Sequence, residues 1–176
     1  MVLRVLEWYD ESQLPDGITE TDGGGLEDDY GKITYLTDGA CQNNGLRTSY
    51  GACAFFGGTN CFNSWVDPAD RSTNQTAELG AIFGAVCRAV REEECSIKIL
   101  TDSKYCINAI SVWPKQCWWD NARDGVWYKG NGDQVKNQWL IRRILGKMKE
   151  HSIVAEFEHI PREENEIADK MAKEAL

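Results

Sequence analysis

The sequence predicts a layered α/β domain built on a mixed β-sheet. Two observations lead to this fold class: three strand-like segments precede a long amphipathic helix, and the later strands then alternate with helices. Hydrophobic residues make up 42% of the 176 residues, which is enough for an ordinary packed core. The sequence contains no internal repeat and no low-complexity segment.

Five segments have the short apolar or alternating pattern of β-strands, with turn residues between them. The first strand is predicted to end at Asp38-Gly39, and the second and third are joined by a turn at Gly57-Gly58-Thr59-Asn60. The predicted strands are 33–37, 50–57, 61–66, 97–100 and 153–160.

One long helix follows the third strand. Its apolar residues recur at helical spacing, and Thr73 or Asn74 can cap its N-terminus. The apolar positions are Leu79, Ile82, Phe83, Val86 and Val90. Further helices are predicted over 103–110, 135–149 and 165–176, and residues 113–135 are expected to be irregular.

Residues 1–30 are predicted to be an acidic tail or linker that precedes a catalytic domain over 31–176. An added short strand, or docking on the domain through Leu3, Leu6, Trp8 and Tyr9, is the alternative. They contain nine acidic residues and one basic residue, whereas residues 31–176 contain 19 and 18. The net charge of −9 would argue against a nucleic-acid partner if the acidic residues were spread evenly along the chain. The domain itself is close to neutral, which leaves such a partner open.

The sequence also indicates the compartment. No apolar stretch is long enough to span a membrane, and the N-terminus is too acidic for a signal peptide. The seven cysteines are odd in number and include no CxxC pair, so we expect reduced, packed thiols. An intracellular protein follows, with cytoplasm, nucleus and organelle not distinguished.

Four acidic residues occupy positions at which a catalytic site could form. Asp38 and Asp102 end the first and fourth predicted strands, Glu78 lies in the first turns of the long helix, and Asp169 borders the apolar face of the last helix. Each has an ordinary structural explanation as a turn, cap or ion-pair residue. If they converge, however, their repulsion requires cations between them, and magnesium prefers such oxygen ligands.

The segments around these acids resemble the four motifs of type 1 ribonuclease H, in that family's order. The segments read TDGACQNNG at 37–45, TNQTAEL at 73–79, TDSKY at 101–105 and NEIAD at 165–169. The resemblance implies the RNase H-like fold, a five-stranded mixed sheet with helices on both faces. It also implies a site in which Asp38, Glu78, Asp102 and Asp169 hold two Mg²⁺ ions, with Mn²⁺ as an alternative.

The activity implied by the resemblance is hydrolysis of the RNA strand of RNA/DNA hybrids, leaving 5′-phosphate and 3′-hydroxyl ends. Such an enzyme must sense the 2′-hydroxyl. By position in the motifs, the residues near the RNA would be Cys41, Asn44, Asn74 and Gln75. Amide side chains both donate and accept hydrogen bonds, which suits this task. We expect a monomer that binds a hybrid and no membrane.

A second group of positions resembles those that contact the DNA strand in the family. Arg71, Thr73 and Asn137 would bind a DNA phosphate. Trp113 and Trp118 would line the DNA channel, with Trp119 as the alternative register for the second tryptophan. Packing under a long loop is the competing interpretation of these tryptophans.

A catalytic histidine often precedes the last acid in this family. His159 lies ten residues before Asp169, at the expected offset, but the segment after it lacks the family's glycines. It resembles a shorter version in which an arginine stands in, and Arg162 would take that place. His159 as an ordinary strand residue is the alternative.

Three other functional interpretations remain open from the sequence. One is a different enzyme on the same fold, such as a transposase, an integrase or a resolvase. Another is a catalytically silent module for nucleic-acid binding or protein interaction, against which the four intact acids argue. The third is the nuclease portion of a polyprotein or reverse transcriptase.

Overall fold

The computed structural model describes residues 9–58, 61–66, 72–118 and 122–176. These residues form one mixed sheet of seven strands with helices on both faces. The strands are β1 (Ile18–Glu20), β2 (Leu26–Asp28), β3 (Ile33–Gln42), β4 (Tyr50–Gly57), β5 (Cys61–Val66), β6 (Ser96–Thr101) and β7 (Val154–His159).

The five longer strands are those that the sequence predicts, in the order β5-β4-β3-β6-β7. β3 lies at the centre, antiparallel to β4 and parallel to β6, and β7 continues the parallel half. β6 follows a helical crossover from the first three strands, as a parallel neighbour requires. The predicted mixed α/β sheet is confirmed.

Along the chain, helices follow strands β5, β6 and β7. Thr73 caps the long helix: its hydroxyl accepts a hydrogen bond from the Thr76 amide, and the Thr76 hydroxyl accepts one from the Thr73 amide. The second helix continues into π-helical turns over Asn108–Val112 and Pro114–Trp118. The α-helices are α1 (Asn74–Arg91), α2 (Lys104–Ile107), α3 (Gln138–Glu150) and α4 (Glu166–Glu174).

Alternation along the strands divides the core into two clusters on opposite faces of the sheet. The first cluster lies beneath α1 and α3 and includes Tyr35 and Ile99. The second cluster lies beneath α4 and includes Leu36 and Leu100, the neighbours of those residues in each strand. α4 contributes Ile167, Ala168, Met171 and Ala172 to the second cluster.

Two expectations need correction. Residues 9–30 are not a tail or linker in this structure, because β1 and β2 extend the sheet alongside β3 and bury Ile18 and Leu26 in the second cluster. Apolar residues spaced among the acids make this packing possible. The first predicted strand does not end at Asp38-Gly39 but continues to Gln42, because β4 pairs with it along that whole length.

The described helices also bear on the membrane expectation. None of them combines the length and the apolar character that a membrane crossing requires.

Candidate active site

The central strands place two of the predicted acids side by side. Leu36 of β3 is paired with Leu100 of β6 in parallel register. Asp38 and Asp102 each lie two residues further along, so they emerge as neighbours at the same edge of the sheet. Asp169 reaches this edge from α4, and all four predicted carboxylates line one cleft of about 310 Å³.

A glycine allows Glu78 to join this cleft. A Cβ atom at Gly39 would lie 2.2 Å from the backbone of Ala77 and Glu78, far inside van der Waals contact. α1 therefore crosses β3 at a distance that only glycine permits at this position. Small residues line the same crossing, with Cys53, Ala77 and Ala81 fully buried. The backbone contact holds Glu78 next to the strand that carries Asp38.

Asp38 is the most perturbed carboxyl group of the cleft. Only 7% of the residue is exposed, and burial, followed by the negative charge of Asp102, raises the pKa of Asp38 to about 8. Asp169 and Glu78 act in the same direction, and the Gly39 amide opposes them by donating a 2.8 Å hydrogen bond to the carboxylate. The cleft thus holds more negative charge than its own residues neutralise.

Glu78 is held by two donors from the start of α2. The Ser103 hydroxyl donates to Oε2 of Glu78 at 2.6 Å, and the Cys106 thiol lies 3.7 Å from the same oxygen. Burial raises the pKa of Glu78, and the Ser103 hydrogen bond opposes this shift. Ser103 also caps α2 by accepting a hydrogen bond from the Cys106 amide.

Asp169 and Asp102 have partners from the segment around α4. Nη2 of Arg162 lies 3.1 Å from one oxygen of Asp169, and Nζ of Lys173 lies 2.5 Å from the other. The buried Asn165 amide donates to the carbonyl of Thr37 and, at 3.3 Å, to Asp102. Asn165 thereby connects β3, β6 and α4 at the site.

The donor set fits a hard divalent cation, since carboxylate oxygens dominate the cleft. Within the described part of the chain, no three acidic, histidine or cysteine side chains converge on one point as they now stand. The hydrogen bonds explain this, because Asp169 faces Arg162 and Lys173 while Glu78 faces Ser103.

A second groove also reaches the first turn of α1. Asn74 lines the cleft, and the next residue, Gln75, lines the groove. Trp113 is half-buried, whereas Trp118 is 5% exposed and packs with Trp113 at a ring-centroid distance of 5.6 Å. Trp118 is therefore mainly a core residue. The groove is lined by Gln75, Tyr105, Trp113, Trp118, Lys129, Val135 and Lys136.

Among the remaining predicted substrate residues that the structure describes, only Cys41 lines the carboxylate cleft. Its thiol donates to the carbonyl of Ser72. Asn44 is exposed in the turn after β3. Asn137 precedes α3 with φ 57°, and its amide donates to the Tyr105 hydroxyl at 3.0 Å. Thr73 is engaged in capping α1. Arg71 and Trp119 lie outside the described residues.

The two candidates for the histidine role differ in position. His159 is exposed at the end of β7, paired in register with Thr101, and does not line the cleft. Arg162 lines the cleft and contacts Asp169. Of the two, the structure brings only Arg162 to the carboxylates among the residues it describes.

Sequence reasoning missed several residues that hold the site together. Ser103 and Asn165 lie inside the recognised motifs, next to or near the acids, so their side chains could have been assigned as supports. The sequence presents Lys173 only as an ordinary helix partner of Asp169. Cys106 had no sequence signal, because its role depends on how α2 packs beside α1.

Comparison with known proteins agrees with this geometry. The RNase H family model matches residues 31–176. The chain belongs to the RNase H family. A ribonuclease H from Clostridium botulinum is 33% identical over 148 residues, which cover 82% of this chain and 95% of that protein. Membership makes the chain a ribonuclease H hydrolase and confirms the resemblance of its motifs.

Solved structures of the RNase H family share the fold. RNase H1 from the archaeon Halobacterium salinarum superposes with a TM-score of 0.52 at 22% identity, covering 82% of this chain and 97% of that one. LC11-RNase H1, solved in complex with an RNA/DNA hybrid, superposes with a TM-score of 0.58 at 20% identity over 82% and 96% of the two chains. At these low sequence identities, the structural similarity establishes the fold and nothing further.

Proposed function

We propose that this chain is an endoribonuclease that hydrolyses the RNA strand of RNA/DNA hybrids and leaves 5′-phosphate and 3′-hydroxyl ends. The observation that carries the proposal is the convergence of Asp38, Glu78, Asp102 and Asp169 in one cleft of an RNase H family member. The hybrid bound by the structural relative LC11-RNase H1 supports the choice of substrate. Since one chain supplies all four acids, a monomer suffices.

Two Mg²⁺ ions are the proposed cofactors, with Mn²⁺ as an alternative. Asp38 and Asp169 would hold one ion, and Asp38, Glu78 and Asp102 would hold the other. Such a pair of ions supplies activated water and charge stabilisation to the departing oxygen of a phosphodiester. Burial and then the negative charge of the neighbouring acids raise the pKa of Asp38, and this uncompensated negative charge is the physical reason to expect cations here.

The neighbouring side chains have distinct proposed tasks. Ser103 and Cys106 hold the Glu78 carboxylate at the wall of the cleft, which limits its rotation. Arg162 and Lys173 neutralise Asp169 until its oxygens turn toward Asp38. Their released charges then face the cleft, where a substrate phosphate would lie.

The second groove, which is lined by Trp113 and Trp118, is the proposed path of the DNA strand. Gln75 of the groove follows Asn74 of the cleft in α1, and with this placement one strand of a duplex would occupy the cleft while the other would lie in the groove. The half-buried ring of Trp113 offers a face for a sugar, and Lys129 and Lys136 provide cations for phosphates.

A cleavage assay tests the activity and the site together. End-labelled RNA/DNA hybrid, RNA duplex, DNA duplex and single-stranded RNA are incubated with Mg²⁺ or with EDTA. The proteins are wild type, Asp102→Asn and the matched control Asp124→Asn. Asp124 is an exposed loop residue with a positive φ angle, which asparagine adopts as readily as aspartate. We expect Mg²⁺-dependent cutting of the RNA in the hybrid, lost in Asp102→Asn and retained in Asp124→Asn.

The other outcomes identify the alternatives. A folded wild-type protein that binds hybrid without cutting it would indicate a silent binding module. Cutting of duplex DNA would indicate an enzyme of the recombinase type on the same fold. Full activity in Asp102→Asn would refute the assignment of the site.

Asn44 provides a separate test of substrate discrimination. It is exposed in a turn, so Asn44→Ala should fold normally. If its amide contacts the 2′-hydroxyl, the ratio of kcat/KM for hybrid over DNA duplex should fall in the variant. An unchanged ratio, measured beside wild type at one ionic strength, would remove Asn44 from the RNA-contacting set.

A further inference from the structure

The segment of residues 9–30, here called the N-terminal segment, lies outside the matched family region of 31–176 and yet packs as part of the domain. β1 and β2 form a hairpin, and Glu27 of β2 pairs with Ile33 of β3. Leu26 is fully buried and Ile18 is 8% exposed, both in the second cluster. These contacts add two strands to the sheet and two buried residues to the second cluster, and the family match includes neither.

The N-terminal segment reaches α4 through the second cluster. Tyr9 and Leu14 pack against this cluster, which also contains Ile167 and Met171 of α4. The ring of Tyr9 stands edge-on to Phe56 of β4 with centroids 5.0 Å apart, and its hydroxyl donates to Glu20. At the start of α4, Nε2 of Gln13 donates to Glu166 at 3.4 Å.

α4 has little local stability of its own. It contains nine residues, too few for a helix that is stable in isolation. Asn165 stands at its N-cap without a side-chain cap bond, because that side chain is directed to Thr37 and Asp102. The apolar face of α4 is buried mainly against β3 and β4, with Ile18 and Leu26 of the N-terminal segment in the same cluster, and α4 carries Asp169.

We propose that the N-terminal segment is a positioning element that sets α4, and through it Asp169, in the active site. The part that concerns ion binding rests on the function proposed above. Ile18 belongs to the same cluster as the apolar face of α4 and Leu14 packs against that cluster, and neither residue lines the carboxylate cleft. The segment therefore controls the affinity of the cleft for divalent ions and the rate of turnover while it lies away from the substrate.

The experiment compares two matched core truncations in the full chain. Ile18→Ala removes the same atoms from the second cluster that Ile153→Ala removes from the first, and the two residues are 8% and 6% exposed. Leu14→Ala, at a half-buried position of the segment, is a milder second variant. The measurements are hydrogen exchange of the α4 amides, Mn²⁺ affinity by calorimetry without substrate, and kcat and KM on hybrid.

We expect Ile18→Ala to accelerate α4 exchange about tenfold more than Ile153→Ala does, which corresponds to ~1.4 kcal/mol of local stability. Its Mn²⁺ affinity and kcat should fall several-fold with little change in KM, and Leu14→Ala should shift the same quantities less. If Ile18→Ala does not fold, the Leu14→Ala comparison decides.

Two results would overturn the proposal. Equal acceleration of α4 exchange by Ile18→Ala and Ile153→Ala would show a general loss of stability. Faster exchange with unchanged Mn²⁺ affinity would show that the segment supports α4 without setting Asp169. If the wild-type protein neither binds Mn²⁺ nor cuts hybrid, the proposed function fails on its own, and α4 exchange still decides whether the segment positions the helix.

Discussion

Two buried aspartates show how partners decide the role of a carboxyl group. Asp28 and Asp38 are 6% and 7% exposed. Burial raises the pKa of Asp28, but hydrogen bonds from the Lys32 amide and the Lys98 ammonium outweigh it, so the pKa is lowered overall. At Asp38, burial together with the charges of Asp102 and the other acids raises the pKa to about 8. Asp28 is therefore a structural ion-pair partner, whereas Asp38 is suited to binding cations.

The raised pKa of Asp38 makes the metal-free protein less stable as pH increases. An unperturbed aspartate has a pKa of 3.8, whereas that of Asp38 in the folded protein is about 8, so between these values the folded state retains a proton that the unfolded state has lost. Asp38→Asn removes this titration. In EDTA, the Tm of the variant should exceed that of wild type by a margin that grows from about pH 5 to about pH 8.

A control and a contrary result complete this test. Asp22→Asn, at an exposed turn, should keep a constant Tm difference from wild type across the same range. A margin for Asp38→Asn that stays constant or shrinks with pH would show that Asp38 is ionised in the metal-free cleft.

At the scale of elements, the crossing of α1 over β3 decides the geometry of the site. Gly39→Ala would place a methyl group 2.2 Å from the Ala77 and Glu78 backbone, so α1 must move away from β3. We expect a loss of at least ~1–3 kcal/mol in the free energy of unfolding, as for an overpacked core. Hybrid cleavage should fall further than stability explains, because Glu78 moves away from Asp38. Denaturant titration and kcat/KM at equal folded fraction separate the two effects.

Gly146→Ala is the matched control for Gly39→Ala. Gly146 lies in α3 and is exposed, and a methyl group added there would have no neighbouring atom within 4 Å. The same substitution should there stabilise the protein by ~0.5–1 kcal/mol, since alanine favours helices over glycine. Similar losses in both variants would mean that the close approach at Gly39 is unimportant.

Most elements could be predicted because their signals are local. The helical spacing of Leu79, Ile82 and Val86 and the Thr73 cap specify α1, and the second predicted strand has the observed bounds, Tyr50–Gly57. The extension of β3 to Gln42 could not be predicted, since it depends on pairing with β4 rather than on its own polar sequence. The same limit applies to the N-terminal segment, whose acids conceal the few apolar residues that pack.

The four carboxylates were predictable for a different reason, which applies to only some of the side chains that support them. The motifs identify Asp38, Glu78, Asp102 and Asp169 individually, and the parallel register of β3 and β6 then brings the first and third together. The i,i+4 spacing of Asp169 and Lys173 indicates their contact in advance. The contact of Cys106 with Glu78 depends on how α2 packs beside α1, and a sequence pattern carries no such information.

At the scale of the whole molecule, charge is distributed unevenly around the cleft. The chain carries a net charge of −9, and the N-terminal segment contributes exposed acids close to α4. Asp16 and Asp29 line a pocket with Glu164, two residues before α4 begins. A polyanionic duplex approaching the cleft therefore meets a repulsive potential on this side, and counterion screening must weaken that repulsion.

Neutralising these acids should accelerate association with the hybrid. The double variant Asp16→Asn/Asp29→Asn should bind a labelled hybrid several-fold faster than wild type at low salt. The advantage should vanish near ~1 M salt, where the screening length is only ~3 Å. Glu93→Gln/Glu150→Gln changes the net charge equally at exposed positions before β6 and β7, at the sheet edge opposite the cleft. If both pairs accelerate binding alike, net charge governs association; if only the first pair does, the acids of the N-terminal segment govern it by their position.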